Sequence, residues 1–208
     1  MLMNLQLGAG TALPSLVLFQ HVLQNAIPLI ISLQDYNESV LRLVSLPNIL
    51  LTWAAYTEHK DVTNDFDIST NQTGDLELTD AVKHRFLSDV KSKDINFRFY
   101  SGPWNERLAN LMPASGLDMG TVILGAETIY SPASTEAFVE LLITLLKRVK
   151  MSKAMIAAKR VYFGVGGSVD GLKEACREKG AVAYEIENHG VPGMEGGVGR
   201  ALIEVQMY

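Results

Sequence analysis

LMNLQLGAGTALPSLVLFQ (Leu2–Gln20) decides the fold. An apolar run, Leu2 to Leu7, ends in Gly8-Ala9-Gly10, and a helical pattern follows that puts Leu16, Phe19, Val22 and Leu23 on one face. Pro14 suits the first turn of that helix, since its missing N–H would have no partner there, and the spacing predicts a helix from Pro14 to Asn25. A buried strand that turns through glycines into a helix lets backbone N–H groups and the positive helix end come close to a ligand.

Outward from this unit the pattern repeats. Ile27 to Gln34 reads as a buried strand ending at Asp35. Glu38 to Leu46 has helical spacing and stops at Pro47-Asn48, and a second helix, Ile49 to Tyr56, follows. Asn96 to Tyr100 reads as a strand running into Ser101-Gly102-Pro103-Trp104, with a short helix from Glu106 to Leu111. Val122 to Gly125, Ala154 to Ala158, Val182 to Glu187 and Arg200 to Met207 read as strands, and Ser134 to Val149 and Val169 to Lys179 as helices. This alternation is the signature of an α/β fold, a sheet with helices on both faces. The last two strands have no helix between them, so they form an antiparallel, hairpin-like edge. Residues 57–94 change character: nine acids face five bases and apolar residues thin out, which reads as a solvated, partly disordered insertion with a weak helical pattern from Ala81 to Val90. The expectation is one domain, 1–208, carrying that polar insertion.

Composition excludes several classes. The 208 residues are 48% hydrophobic and 20% charged with a net charge of -5, which speaks against whole-surface attraction to nucleic acid while leaving room for a local basic patch. The single cysteine, Cys176, forms neither an internal disulfide nor a cysteine-based zinc site and points to a reducing compartment. Gln20, His21, Gln24 and Asn25 interrupt the longest apolar stretch, so none reaches the roughly 18 residues of a membrane span. Met1 to Leu7 has no basic residue before it, which argues against a secretory signal, and the sequon Asn71-Gln72-Thr73 then reads as an accident of composition. His21, His59, His84 and His189 show no metal-ligand spacing.

The glycine turn narrows the chemistry. A nicotinamide dinucleotide fingerprint wants a third glycine three residues after Gly10; here that position is Leu13, followed by Pro14, which disfavours an oxidoreductase. The Leu-Pro pair suits a ligand without a phosphate, such as S-adenosylmethionine. Asp35, 25 residues beyond Gly10, stands where a ribose-binding acid is expected, although a strand-terminal Asp also suits capping of the next helix. Gly102 would let the backbone approach an adenine and Trp104 would pack against it, or Trp104 is a core tryptophan. Glu127-Thr128-Ile129-Tyr130 would face the methyl donor, while Glu127 is equally suited to capping the helix near Pro132.

LGAGTALPSLVLFQ (Leu7–Gln20), LQDYNESVLRLVSLPNILLTW (Leu33–Trp53), FYSGPW (Phe99–Trp104), AETIYSP (Ala126–Pro132) and AAKRVYFGVGG (Ala157–Gly167) resemble the eukaryotic histidine protein methyltransferases. The likeness is greatest to the fungal members, which modify a histidine of a large-subunit ribosomal protein, and it covers nearly the whole chain outside the insertion. The resemblance implies a Rossmann-like, seven-strand methyltransferase sheet, mostly parallel with a reversed final strand. It further implies an S-adenosyl-L-methionine cofactor, held by Gly8, Gly10, Gln34, Asp35, Tyr36, Asn37, Gly102, Trp104 and Ala126. A protein partner, no direct nucleic-acid or membrane contact, a monomer, and a location in the cytoplasm with the nucleus as a second site complete the expectation.

Within that family pattern, methyl transfer to a neutral imidazole rests on positioning and desolvation, with no metal. Glu127 is the expected acceptor for the imidazole N–H, Tyr130 and Phe163 the expected walls of the target pocket, and the Gly164 to Gly167 loop a flexible cover for the substrate peptide. The family usually has an acid at Gln6, Cys at Ala9 and a small hydroxyl residue at Ala126. It also carries a long amino-terminal segment that covers the cofactor, so this chain reads as amino-terminally truncated, starting inside the first strand. A catalytically impaired remnant, or a non-catalytic binding protein, is the alternative those departures keep open.

Overall fold

A computed structural model of the protein describes residues 2–56, 75–112, 120–187 and 199–208. Among these, five strands run parallel: β1 (Leu2–Leu7), β2 (Leu29–Asp35), β3 (Ile95–Ser101), β4 (Gly120–Ala126) and β5 (Ser152–Lys159). β6 (Ala181–Glu185) and β7 (Arg200–Met207) complete a seven-stranded sheet in the order β3-β2-β1-β4-β5-β7-β6. The reversed final strand is present, but it is not outermost. β7 lies between β5 and β6, antiparallel to both, so that Ile203 and Val205 are fully buried and β6 takes the edge.

Helices cover both faces, as the alternation requires. α1 (Leu13–Asn25), α3 (Leu46–Tyr56) and α4 (Asp80–Ser92) pack Phe19, Trp53 and Phe86 with Leu33 of β2 into one core. α5 (Glu106–Leu111), α6 (Pro132–Leu146) and α7 (Val169–Glu178) pack Leu108, Phe138, Leu142 and Leu172 with Ile156 and Ile203 into the other. Cys176 of α7 belongs to that second core, where burial pushes its thiol up to about 11. Among the described residues, no helix is long and apolar enough to cross a membrane.

The structure corrects one boundary. No break occurs at Pro47-Asn48: α2 (Glu38–Val40) passes through a π-helical turn, Leu41–Ser45, directly into α3. The widened turn lets the Leu46 N–H reach the Leu41 carbonyl, and the proline that follows, which has no N–H to give, is accommodated instead of ending the helix. Within the polar insertion, the helical pattern expected from Ala81 to Val90 is present. It is α4, capped by the Thr79 hydroxyl on the Val82 N–H at 3.3 Å and packed through Val82, Phe86 and Val90. Three apolar residues four apart are enough to bury one face of an otherwise polar helix. The remainder of the insertion, 57–74, with the Asn71-Gln72-Thr73 sequon, lies outside the described residues.

Phe138 is the packing centre beneath the ligand end of the sheet. It is fully buried and meets the Trp104 ring edge-on, with centroids 5.3 Å apart. Gly125 of β4 leaves it room, since a Cβ there would fall 3.0 Å from Phe138 Cζ. Phe138→Ala is expected to cost about 3–5 kcal/mol of stability, read as a lowered midpoint of urea unfolding.

Candidate active site

Strand register assembles the site. Leu7 is level with Gln34 on one side and Gly125 on the other, Asp35 with Ser101, and Ala126 with Ala157. The loops after β1 to β5 therefore leave from one rim, with β1 at the point where the strand order reverses, the usual ligand crevice of an open α/β sheet.

The glycine turn is held by its neighbour strand. The Ala9 N–H donates to the Gln34 carbonyl (2.7 Å), the Gly8 N–H to Gln34 Oε1 (3.2 Å) and the Gly10 N–H to Asp35 Oδ2 (2.9 Å). Gly8 and Gly10 adopt φ of +65° and +53°, in the left-handed region that favours glycine. A Cβ on Gly8 would press on Thr128 and Trp104, whereas one on Gly10 or Gly102 would meet nothing within 4 Å. Bare backbone at Gly10 and Gly102 thus borders open space.

Gln34 is fully buried, and its amide is occupied by protein. Besides the Gly8 N–H, Oε1 accepts from Trp104 Nε1 at 2.7 Å, and Nε2 donates to the Gly102 carbonyl at 2.9 Å. Gln34 therefore shapes the pocket by tying three loops together, and its side chain offers a ligand no surface. Trp104, half-buried, packs as the core reading expects: its N–H is spent on Gln34 and its edge on Phe138.

Asp35 makes the turn into the next helix and also holds the glycine turn. Oδ1 accepts from the Asn37 N–H at 3.1 Å at the start of α2, and Oδ2 holds Gly10; each oxygen keeps a further lone pair for a hydroxyl. Tyr36 and Asn37 present exposed side chains beside it.

Gln6, expected as a departure that weakens the site, supports the glycine turn from below. It is 1% exposed; Nε2 donates to the Ala9 carbonyl at 3.2 Å, and Oε1 accepts from the Ser15 N–H at 3.1 Å. Ala12, the cap residue of α1, gives no side-chain bond, so Gln6 caps that helix from the neighbouring strand. From above, Ser45 Oγ of the π-helical turn donates to the Gly10 carbonyl at 2.8 Å and Asn48 Nδ2 to the Thr11 carbonyl at 2.9 Å.

The far half of the rim carries different chemistry. Ala126 ends β4, and Glu127, exposed and at φ +57°, turns the chain away. Its carboxylate does not cap α6; that role falls to Ser131, which accepts from the Ser134 N–H at 3.2 Å. Instead Glu127 Oε2 accepts from the Tyr162 hydroxyl at 2.8 Å. Tyr130 and Phe163 are exposed on the two loops joined by that bond.

The Gly164 to Gly167 stretch is a tight turn, not a flexible flap. The Gly166 N–H donates to the Tyr162 carbonyl at 3.1 Å, the Tyr162 N–H to the Gly167 carbonyl at 2.8 Å, and the Gly167 N–H to the Tyr130 carbonyl at 3.2 Å. A Cβ on Gly167 would collide with the Ile129 carbonyl oxygen at 2.0 Å, so only glycine allows this docking.

Two features fit an adenosine cofactor in this crevice: the open backbone at Gly10 and Gly102, and the acid at Asp35. Thr128 lies beside Gly8 through its methyl group, and its buried hydroxyl has no partner among the described residues. Among the described residues, no group of three histidine, cysteine or acidic side chains gathers as metal ligands.

No protein-family model matches the chain. It is 37% identical over 166 residues to histidine protein methyltransferase 1 of Schizosaccharomyces pombe and 36% identical over 178 residues to that of Saccharomyces cerevisiae. Each match covers 79% of this chain. The chain is a relative of the histidine protein methyltransferases. It spans 46% of the length of each of those two relatives. The fold is that of the S-adenosylmethionine-dependent methyltransferases. Superposition on the DszA carbon methyltransferase gives a TM-score of 0.54 at 10% identity, covering 99% of this chain and 47% of that one. On the TehB-like SAM-dependent methyltransferase of Corynebacterium glutamicum it gives 0.50 at 8% identity, covering 99% and 80%.

Gln34→Leu is the sharpest probe of this arrangement. Each buried group left unpaired costs about 1–3 kcal/mol, so the variant is expected to lose at least that much stability. Trp104 emission should shift to the red as its indole N–H turns to solvent; unchanged emission and stability would show that the amide ties nothing.

Proposed function

We propose that the chain is an S-adenosylmethionine-dependent protein-histidine N-methyltransferase, acting on a histidine of a large-subunit ribosomal protein. Kinship to the fungal histidine protein methyltransferases supports the substrate class, and the likeness of the five sequence blocks to the fungal members supports the ribosomal target. The observation that carries the reading is a fixed carboxylate, Glu127, on the same rim as the open glycine cradle, with exposed Tyr130 and Phe163 flanking it.

When bound, the cofactor supplies a methyl group on a sulfonium, which leaves as the methyl of a new N–C bond while the old S–C pair stays on sulfur. Gly8, Gly10 and Gly102 would shape the backbone around it, and Asp35 would accept from its ribose. Glu127 accepts the N–H of the target imidazole, which selects the tautomer whose other nitrogen carries a free lone pair. As that nitrogen gains the methyl, the ring becomes cationic, and Glu127 holds and then takes the N–H proton. Tyr130 and Phe163 exclude water from the ring, so the reacting atoms meet in a desolvated, oriented pair.

Calorimetric titration with S-adenosylhomocysteine, alongside a nicotinamide dinucleotide, is the first test. Binding of the first alone, roughly micromolar, is expected; a folded chain that binds neither would favour the impaired remnant. In methylation of purified large ribosomal subunits, Glu127→Gln should lower turnover on the order of a hundredfold or more while leaving S-adenosylhomocysteine affinity within about twofold. Equal loss of both would remove Glu127 from the acceptor role.

A further inference from the structure

The acceptor carboxylate has a partner to which the sequence reading gives no role. Tyr162 is 8% exposed, and its hydroxyl sits between the Lys159 N–H, which donates to it at 3.3 Å, and Glu127 Oε2, to which it donates at 2.8 Å. With Lys159 occupying a lone pair, the phenol hydrogen has one direction left, toward Glu127. Burial, and then the bond to the Glu127 carboxylate, push the phenol far above its ordinary value, so it stays a donor across the physiological range.

The buried phenol needs an acceptor, and the one it meets is the exposed carboxylate of Glu127 on the neighbouring loop. The Glu127 backbone is in the left-handed region, at a cost on the order of 1–3 kcal/mol for a non-glycine residue. A carboxylate held this way, at that cost, is a carboxylate whose position matters.

The loop bearing Tyr162 cannot withdraw either. Its N–H is on the Gly167 carbonyl, and the Gly167 N–H is on the Tyr130 carbonyl, so the turns after β4 and β5 are tied by side chain at one point and by backbone at another.

We propose that Tyr162 is the positioning residue for the methyl-transfer site: its buried hydroxyl holds Glu127 Oε2 and leaves Oε1 as the free acceptor for the target imidazole. The proposal rests on the histidine-methyltransferase reading. Loss of the bond frees Glu127 to rotate, so the imidazole still binds its apolar walls but is no longer held in line with the methyl group.

The test uses Tyr162→Phe, Glu127→Gln and the double variant, with methyl transfer to histidine on purified large ribosomal subunits read by mass spectrometry and S-adenosylhomocysteine affinity read by calorimetry. Tyr162→Phe is expected to lower kcat on the order of a hundredfold, with KM and cofactor affinity changed less than about threefold. The double variant should be no slower than Glu127→Gln alone, because Tyr162 acts only through Glu127. Wild-type kcat in Tyr162→Phe, or losses that multiply in the double variant, would overturn the proposal while leaving the enzyme reading intact. A wild-type chain that binds S-adenosylhomocysteine but methylates no histidine would overturn both. Should Tyr162→Phe fail to fold, Glu127→Asp tests the bond from its exposed side: the shortened carboxylate keeps its charge but loses reach, and full kcat there would equally overturn the proposal.

Discussion

Gln34 sits with its amide fully buried at the end of β2 and makes three bonds, to the Gly8 N–H, the Trp104 indole and the Gly102 carbonyl, which belong to loops leaving two other strands. Loops on a sheet rim have no regular partners of their own, so the crevice keeps its shape only if something buried satisfies their backbone groups. An amide can do this because it donates and accepts from one plane. A carboxylate there could accept twice but could not hold the Gly102 carbonyl. The open backbone at Gly10 depends on the same tie, since its neighbour Gly8 is fixed against Trp104 and Thr128.

Gln6 repeats the device one strand away, and this changes the meaning of a sequence departure. Judged by family pattern alone, a glutamine in place of an acid looks like damage beside the cofactor. In the structure its two ends serve the Ala9 carbonyl and the Ser15 N–H. An acid could keep only the second bond. The two Gln6 bonds cap α1 and hold the turn, which the fold itself requires.

The fold was legible because its signals are periodic: apolar runs, glycine turns and amphipathic helices placed all seven strands, including the reversed last one. One reading failed where a local rule met tertiary packing. Pro47 looked like a stop, yet the π-helical turn absorbs it and in doing so brings Ser45 to Gly10. The weak pattern at Ala81 to Val90 is the helix α4, whose buried face needs only Val82, Phe86 and Val90. Within the site, the glycines and Asp35 were readable from spacing, whereas Gln6 and Tyr162 were not. Their roles depend on which side chain lies across from them on another strand or loop, and no periodicity within one element carries that information. Tyr162 stands within the Ala157–Gly167 block that carries the resemblance, but the block by itself assigns it no role.

The two halves of the rim are built on different physical terms, and the difference matches what each must do. The cofactor half consists of backbone and buried amides already bonded to protein, so little conformational freedom remains to be lost when a ligand enters. The target half leaves Tyr130 and Phe163 exposed, with Phe163 at 79%, around a carboxylate that is itself tethered. Apolar rings in water are poor walls until something covers them. A protein segment bringing its own apolar surface would exclude water from around Glu127 at the moment the imidazole arrives, and not before. Under the proposed function the tether on Glu127 and the exposure of its neighbours would be complementary: the acceptor would be placed in advance, and desolvation would wait for the substrate.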